Sequence, residues 1–148
     1  MERMRPFIEV NSPAFLRVVE RLAPGLVSVS AISLWPFVVS KETMGPALVA
    51  HEGTHSVQQI GFAAIEVAGI VFLALLLDLR VLWALTVVPV PYLGTFYLWY
   101  ATEYGIRWLK HRNGYDAYIN LAFERQAYHA QIDRKIDYNP FGWIKHLK

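Results

Sequence analysis

The order of apolar and polar positions predicts a chain built mainly from helices, with one stretch of strand near its beginning. Apolar residues at helical spacing predict a short helix over 14–22 that buries one face. The next apolar stretch, 26–40, partly alternates and is rich in β-branched residues, which is typical of strand. Pro36 interrupts that stretch, so we expect an edge strand, a bulge or a hairpin break there.

A second helix is predicted over about 46–60, after the polar turn at 40–43. Pro46 suits the first turn of a helix, where its missing N–H costs nothing. Gly61 is interpreted as the residue that stops this helix.

The segment 61–100 is almost wholly apolar, and Asp78 and Arg80 interrupt it in the middle. Two apolar arms around a short charged turn predict a hydrophobic helical hairpin that turns at 78–80. The stretch 81–102 carries no charge, and it is long enough to span a bilayer.

Prolines within the second apolar arm, Pro89 and Pro91, are expected to kink or break a helix there. Two interpretations of the hairpin stay open at this point. One is contact with a membrane, with Trp and Tyr side chains at the interface. The other is packing against a protein partner.

The last third of the chain is predicted to be helical as well. A helix over 103–112 turns basic towards its end, and a turn follows at 111–114. The last long helix is predicted from 115 to about 136, and an aromatic tail from Pro140 is expected to pack back onto the domain. We therefore predict a single α+β domain over 1–148 that is mostly helical.

Composition narrows the classes of function. The chain is 55% hydrophobic and only 18% charged, with a net charge of +2, which gives no basis for a nucleic-acid partner. The first residues lack an apolar core of the kind that marks a cleavable signal peptide. There is no cysteine, so any zinc site must use histidine, carboxylate and water.

Candidate chemistry lies within the predicted 46–60 helix, where residues 51–55 read HEGTH. Positions i and i+4 project from one face of a helix, so His51 and His55 can bind one zinc ion from the same side. Glu52 then stands beside the metal, placed to act as a general base for water activated by zinc. The alternative is a buried helix with two incidentally spaced histidines.

Two segments together resemble a known class of enzyme. Residues 51–59 (HEGTHSVQQ) and 120–128 (NLAFERQAY) are similar to the paired motifs of the gluzincin metallopeptidases. More narrowly, they resemble small predicted metallopeptidases of bacteria and their phages. The resemblance covers roughly residues 26–130 and implies a zincin-like fold, in which the apolar hairpin is an insertion between the two motifs.

The resemblance implies that Glu124 is the third zinc ligand, because it is the first residue of the E-x-x-A-Y pattern within the second segment. Its position between Phe123 and Ala127 indicates a packed helix face, whereas the ordinary alternative is a solvated helical glutamate. Two rivals remain for the third ligand. His129 is expected to point away from the face of Glu124, and Glu103 is expected to be a charge on a helix surface.

Two residues depart from the family pattern. Gln126 stands where the family often has a second acidic residue, and Tyr128 stands where many gluzincins have an aspartate that orients a ligand histidine. Both departures concern the strength of catalysis more than zinc binding. The hydroxyl groups of Tyr115, Tyr118 and Tyr128 are candidates for stabilising an oxyanion.

The expected function is that of a zinc-dependent metallopeptidase with Glu52 as general base and a peptide lying along an edge strand within 26–40. The alternative is a zincin-fold structural or membrane-associated component of a larger assembly, such as a phage particle, with weak or no activity. The compartment stays open from the sequence, and association with a membrane or with a virion or other assembly is the expectation.

Overall fold

The computed structural model describes residues 5–22, 30–77 and 89–147, and for 89–93 it describes the backbone alone. Its elements, in chain order, are β1 (Ile8–Asn11), α1 (Pro13–Leu22), β2 (Ala31–Leu34), β3 (Phe37–Ser40), α2 (Pro46–Leu76), α3 (Pro89–His111), α4 (Gly114–Ile119), α5 (Ala122–Asp133) and a 3₁₀ helix (Gly142–His146). The predicted class, α+β and mostly helical, is confirmed.

A three-stranded sheet has the order β1-β3-β2, with β1 parallel and β2 antiparallel to the central strand. The predicted strand stretch is a hairpin that breaks at Trp35-Pro36, and β2 is an edge strand, as expected. Residues 26–29 of that prediction lie outside the described residues. β1 was not predicted, because its alternation of apolar and polar residues lasts only four positions, most of them exposed, and the segment becomes a strand by pairing with β3.

α2 is about twice as long as predicted. The helix does not stop at Gly61 but continues to Leu76. Gly61 has a different reason to be glycine: a Cβ there would lie 2.5 Å from the Cβ of Pro140, which packs against the helix at that point. The glycine therefore marks a close approach of two chain segments rather than a helix end.

The first arm of the predicted hairpin is thus the second half of α2, and the second arm is α3. The predicted turn at 78–80 lies outside the described residues. Pro89 and Pro91 fall in the first turn of α3, where backbone N–H groups have no intrahelical partner. The prolines accordingly open a helix instead of kinking one.

The predicted last helix, 115 to about 136, is wrong in its continuity. The structure has a short α4 and a separate α5, broken at Asn120 and Leu121. The side chain of Asn113 accepts hydrogen bonds from the backbone N–H groups of Tyr115 and Asp116, which starts α4. The break gives α5 an axis of its own, along which it packs on α2.

Two apolar clusters hold the elements together on either side of the buried part of α2. One consists of Phe7, Ala31, Val38 and Met44, between the sheet and the start of α2. The other is aromatic and joins α3, α5 and the C-terminal segment through Phe96, Phe123 and Trp143. The prediction that the C-terminal tail packs back is confirmed by Trp143, which is 7% exposed.

Candidate metal centre

The HExxH motif lies in the first half of α2 and is buried. His51, Glu52 and His55 are all less than a tenth exposed. Helical spacing places both imidazoles on one face, and their Nε2 atoms are 3.2 Å apart. A hydrogen bond of 2.9 Å between the hydroxyls of Ser56 and Ser33 ties this part of α2 to the edge strand β2.

Glu124 reaches the same point from α5, and its side chain is only 2% exposed. Its Oε1 lies 3.2 Å from the Nε2 of His55, and its Oε2 lies 3.3 Å from the Nε2 of His51. The start of α5 is fixed by Glu103, whose Oε1 accepts a hydrogen bond from the backbone N–H of Ala122. Two helices that are distant in the sequence therefore bring three ligand groups together.

The spacing of His51, His55 and Glu124 fits a metal ion. Donor atoms about 2.0–2.2 Å from a tetrahedral ion are about 3.3–3.5 Å from one another, close to the separations seen here. One carboxylate oxygen of Glu124, Oε2, is buried and faces the Nε2 of His51 at 3.3 Å. A buried group of two imidazoles and one carboxylate can thus hold a metal ion at this position.

Without a metal, the site is held together by charge. Burial alone would lower the pKa of His55, but the charge and hydrogen bond of Glu124, helped by the charge of Glu52, raise that pKa to about 9. Burial acts to raise the pKa of Glu124, yet the charge of His55 and hydrogen bonds from both histidines hold it well below its usual value. The two shifts agree on an ion pair between His55 and Glu124.

Glu52 has the opposite perturbation. Burial raises its pKa, the nearby histidines only partly offset this, and the charge of Glu124 raises it further. A carboxylate whose pKa is raised towards neutrality accepts and returns protons more readily at neutral pH. Glu52 therefore has the electrostatic environment of a general base rather than that of a structural ion-pair partner.

A cleft of about 450 Å³ opens onto the ligand group. One wall is the edge strand β2, and the opposite wall is aromatic. The aromatic residues that line the cleft are Phe96, Tyr97, Tyr100 and Tyr104 from α3 and Tyr118 from α4. The surface beside the metal-binding group is therefore largely apolar, with a few phenolic hydroxyls.

Tyr100 is the residue of this site that sequence reasoning missed. Its hydroxyl donates a hydrogen bond of 2.7 Å to Oε1 of Glu124, and burial together with the Glu124 charge raises its pKa well above the usual value. Nothing in the sequence singled it out, because it is one of many aromatic residues in an apolar stretch. Its role depends on α3 packing against α5, which no local pattern shows.

The three tyrosines predicted from the sequence occupy different surroundings. Tyr118 lines the cleft, and burial and the Glu124 charge raise its pKa. Tyr128 places its ring edge against His51, with 4.9 Å between ring centroids. Tyr115 is 55% exposed and does not line the cleft. Of the three, Tyr118 is the one that lines the cleft, so its hydroxyl is the best-placed candidate for an oxyanion donor.

The rivals for the third ligand lie elsewhere. His129 stacks on His146 and lines a separate cavity of about 500 Å³. Glu103 was expected on a helix surface, which is wrong: it is 8% exposed and pairs with Arg107 at 3.2 Å. It is buried because it stabilises the start of α5, a role that only the tertiary structure reveals.

The two histidines are supported differently behind the metal-binding face. The Nδ1 of His55 is hydrogen bonded to Oε1 of Gln58 at 2.8 Å. The Nδ1 of His51 is buried and has no hydrogen-bond partner among the described residues, and the ring of Tyr128 packs beside it. The departure at Tyr128 therefore leaves one histidine without an orienting acceptor.

Comparison of the chain with family models, curated proteins and solved structures gives no match. The candidate metal centre is accordingly argued from the geometry of this chain alone.

Proposed function

We propose that the protein is a zinc-dependent metallopeptidase of the gluzincin type, built on a zincin-like arrangement of an edge strand and two motif helices. The observation that carries this proposal is the meeting of His51, His55 and Glu124 at 3.2–3.3 Å, with Glu52 beside them at a cleft. Two imidazoles and a carboxylate form the ligand set of catalytic zinc, which keeps one position open.

Zinc bound at this site supplies Lewis-acid activation of water and of a substrate carbonyl. Glu52 takes the proton from the attacking water as general base and passes it to the leaving amine as general acid. Tyr118 lines the cleft, and its hydroxyl is the proposed donor to the developing oxyanion. Tyr100 holds Glu124 in its ligand orientation.

The substrate we propose is a peptide or protein segment in extended conformation along β2. Part of that strand edge is already used, because the carbonyl of Ser33 accepts hydrogen bonds from the side chains of Gln59 and Tyr97. A peptide would therefore pair with the stretch before this carbonyl, over Ala31 and Ile32, which line the cleft. The aromatic wall opposite favours substrates with apolar side chains.

A peptidase assay on a mixed peptide library tests this proposal, with zinc-loaded wild type beside the Glu52→Gln variant. We expect the variant to bind zinc as the wild type does and to lose about 10²–10⁴-fold in rate, the range for a general base. Glu42→Gln, at an exposed position, is the matched control and should keep full activity. Activity that survives in Glu52→Gln would refute the mechanism.

A second candidate function is supported by a separate observation. Among the described residues, α2 is the one helix that is long and apolar enough to cross a membrane, and only 17% of its most apolar window is buried. We therefore propose, as the alternative, a membrane-associated or structural component of a larger assembly, such as a phage particle, with weak or no activity. A monomeric, monodisperse protein in detergent-free buffer would count against it, whereas peptidase activity dependent on Glu52 would favour the enzyme.

A further inference from the structure

A chain of hydrogen bonds runs from His55 away from the cleft. The Oε1 of Gln58 faces the Nδ1 of His55 at 2.8 Å, and the Nε2 of Gln58 donates to Oε1 of Gln126 at 2.9 Å. The Nε2 of Gln126 in turn donates to Oδ2 of Asp137 and to the backbone carbonyl of Asn139, both at 2.8 Å. Two side chains, Gln58 and Gln126, therefore connect His55 with the segment that follows α5.

The far end of this chain fixes its direction. The carboxylate of Asp137 and the carbonyl of Asn139 accept hydrogen bonds and have none to donate, so the amide nitrogen of Gln126 must face them. Its oxygen must then accept from Gln58, which also donates to the carbonyl of Phe123. The oxygen of Gln58 is thereby left for His55, whose Nδ1 carries a hydrogen while its Nε2 faces the metal position.

The hydrogen-bond chain ends at residues 136–142, which we call the C-terminal strap. This segment packs closely against the two motif helices, α2 and α5. The backbone N–H of Asp137 donates to the hydroxyl of Thr54, which lies within the HExxH motif. A Cβ at Gly53, in the same motif, would come within 2.7 Å of Ile136. The strap thus contacts the motif helix directly as well as through the side-chain amides of Gln58 and Gln126.

We propose that the C-terminal strap is a positioning element of the metal site, acting on His55 through Gln126 and Gln58. The proposal rests on the proposed metal binding, and it adds that strap docking and metal binding are coupled. Partners behind a ligand histidine set its tautomer and ring orientation. Coupling of this kind is reciprocal, so a bound metal also stabilises the docked strap.

The test is a zinc titration against a chromophoric chelator with wild type, Asp137→Asn and Asp133→Asn. The amide nitrogen of an asparagine at 137 must face either Gln126 or the backbone N–H of Asn139, both of which are donors. We expect about a tenfold loss of zinc affinity in Asp137→Asn, the lower end of the range for partners behind a ligand. Asp133→Asn removes the same charge at an exposed position and should bind zinc as the wild type does.

Two further readouts on the wild type separate positioning from mere folding and decide the question even if Asp137→Asn is unstable. In ¹⁵N NMR spectra of the zinc-loaded protein, Nδ1 of His55 should carry the hydrogen and Nε2 should be bound. In hydrogen exchange, zinc should slow the amides of 137–142. Zinc on Nδ1, or strap amides indifferent to zinc, would overturn the proposal.

The outcomes also separate this proposal from the proposed function. A wild type that binds no zinc overturns both. A wild type that binds zinc while Asp137→Asn binds it equally well overturns the role of the strap and leaves the metallopeptidase proposal standing.

Discussion

The two halves of α2 are built in opposite ways. In the first half, every residue from Ala50 to Gly61 except Ile60 is buried, and many of these are polar: histidines, a glutamate, hydroxyls and amides. In the second half, from 62 to 76, the side chains are apolar except that of Glu66, and many are exposed, including Ile65, Phe72, Leu73, Leu75 and Leu76, each more than half exposed. One continuous helix thus buries its polar residues and exposes its apolar ones.

The difference separates two kinds of function along one element. Buried polar groups are costly unless they are partnered, and most of those of the first half, with the Nδ1 of His51 as an exception, are partnered by one another, by β2 and by the C-terminal strap. Exposed apolar area of this extent indicates a surface that meets a membrane or a partner. We propose that the first half carries the chemistry of the protein and that the second half is the surface that meets a membrane or a partner.

The largest effect is expected when the buried half loses its partner carboxylate. Glu124→Gln removes a metal ligand and the charge opposite His55, so zinc affinity should fall by more than the 100-fold that partners behind a ligand cost. In the metal-free protein, the broken ion pair should also cost about 3 kcal/mol of unfolding free energy. Glu42→Gln serves as the control in both measurements, and equal zinc affinity of the two variants would contradict the ligand assignment.

The next largest effect concerns pH. The pKa of His55 in the metal-free protein is about 9, and a proton on this ring competes with zinc. Zinc affinity measured by competition should therefore rise with pH up to about 9 and gain about tenfold per unit at most. The contribution of the ion pair to the stability of the metal-free fold is complete between the ordinary pKa values of its partners, 4.5 for Glu124 and 6.5 for His55. It declines as pH falls below 4.5, and it is lost as pH rises through about 9. Urea denaturation in the presence of a chelator measures this contribution. Equal unfolding free energies at pH 6.5 and at pH 9.5 would argue against the ion pair.

Glycine-to-alanine variants in the two halves sharpen the comparison on a smaller scale. A Cβ at Gly61 meets Pro140 of the strap at 2.5 Å, whereas a Cβ at Gly69 meets nothing within 4 Å. We expect Gly61→Ala to lower the unfolding free energy by about 1–3 kcal/mol through overpacking. Gly69→Ala should raise it by up to about 1 kcal/mol through helix propensity. Thermal denaturation of both variants decides, and the same sign for both would show that the halves do not differ in packing.

The smallest effect on the fold is expected in the exposed half. Phe72→Asp combined with Leu76→Asp should change stability by only about 0.5 kcal/mol per site, because both side chains face outward. The same double variant should lose flotation with phosphatidylcholine vesicles, while its zinc affinity stays unchanged. Val18→Asp, on the exposed face of α1, is the matched control and should still float. A double variant that floats like the wild type would remove the membrane interpretation.

Local patterns predicted a good part of this molecule from the sequence. Helical spacing placed His51 and His55 on one face, and Pro36 marked the break between β2 and β3. These features depend on neighbours within a few residues. The third candidate ligand, Glu124, came from resemblance to a family motif, because spacing alone gives no contact between helices so far apart.

The features that were missed depend on contacts across the fold. Gln58 and Gln126 are 68 positions apart, and their hydrogen bond follows from the packing of α5 on α2. Tyr100 and the buried Glu103 become informative only when α3 meets α5. Gly61 was interpreted as a helix end because a glycine that admits a neighbouring chain looks the same in the sequence.

Zinc K-edge X-ray absorption on the protein loaded with one equivalent of zinc tests the central claim most directly. We expect one zinc per chain with nitrogen and oxygen neighbours at about 2.0–2.2 Å and the outer-shell scattering of two imidazoles. This signature should disappear in Glu124→Gln or lose its definition. Zinc that does not bind stoichiometrically, or that binds with six oxygen neighbours and no imidazole, would contradict a site formed by His51, His55 and Glu124.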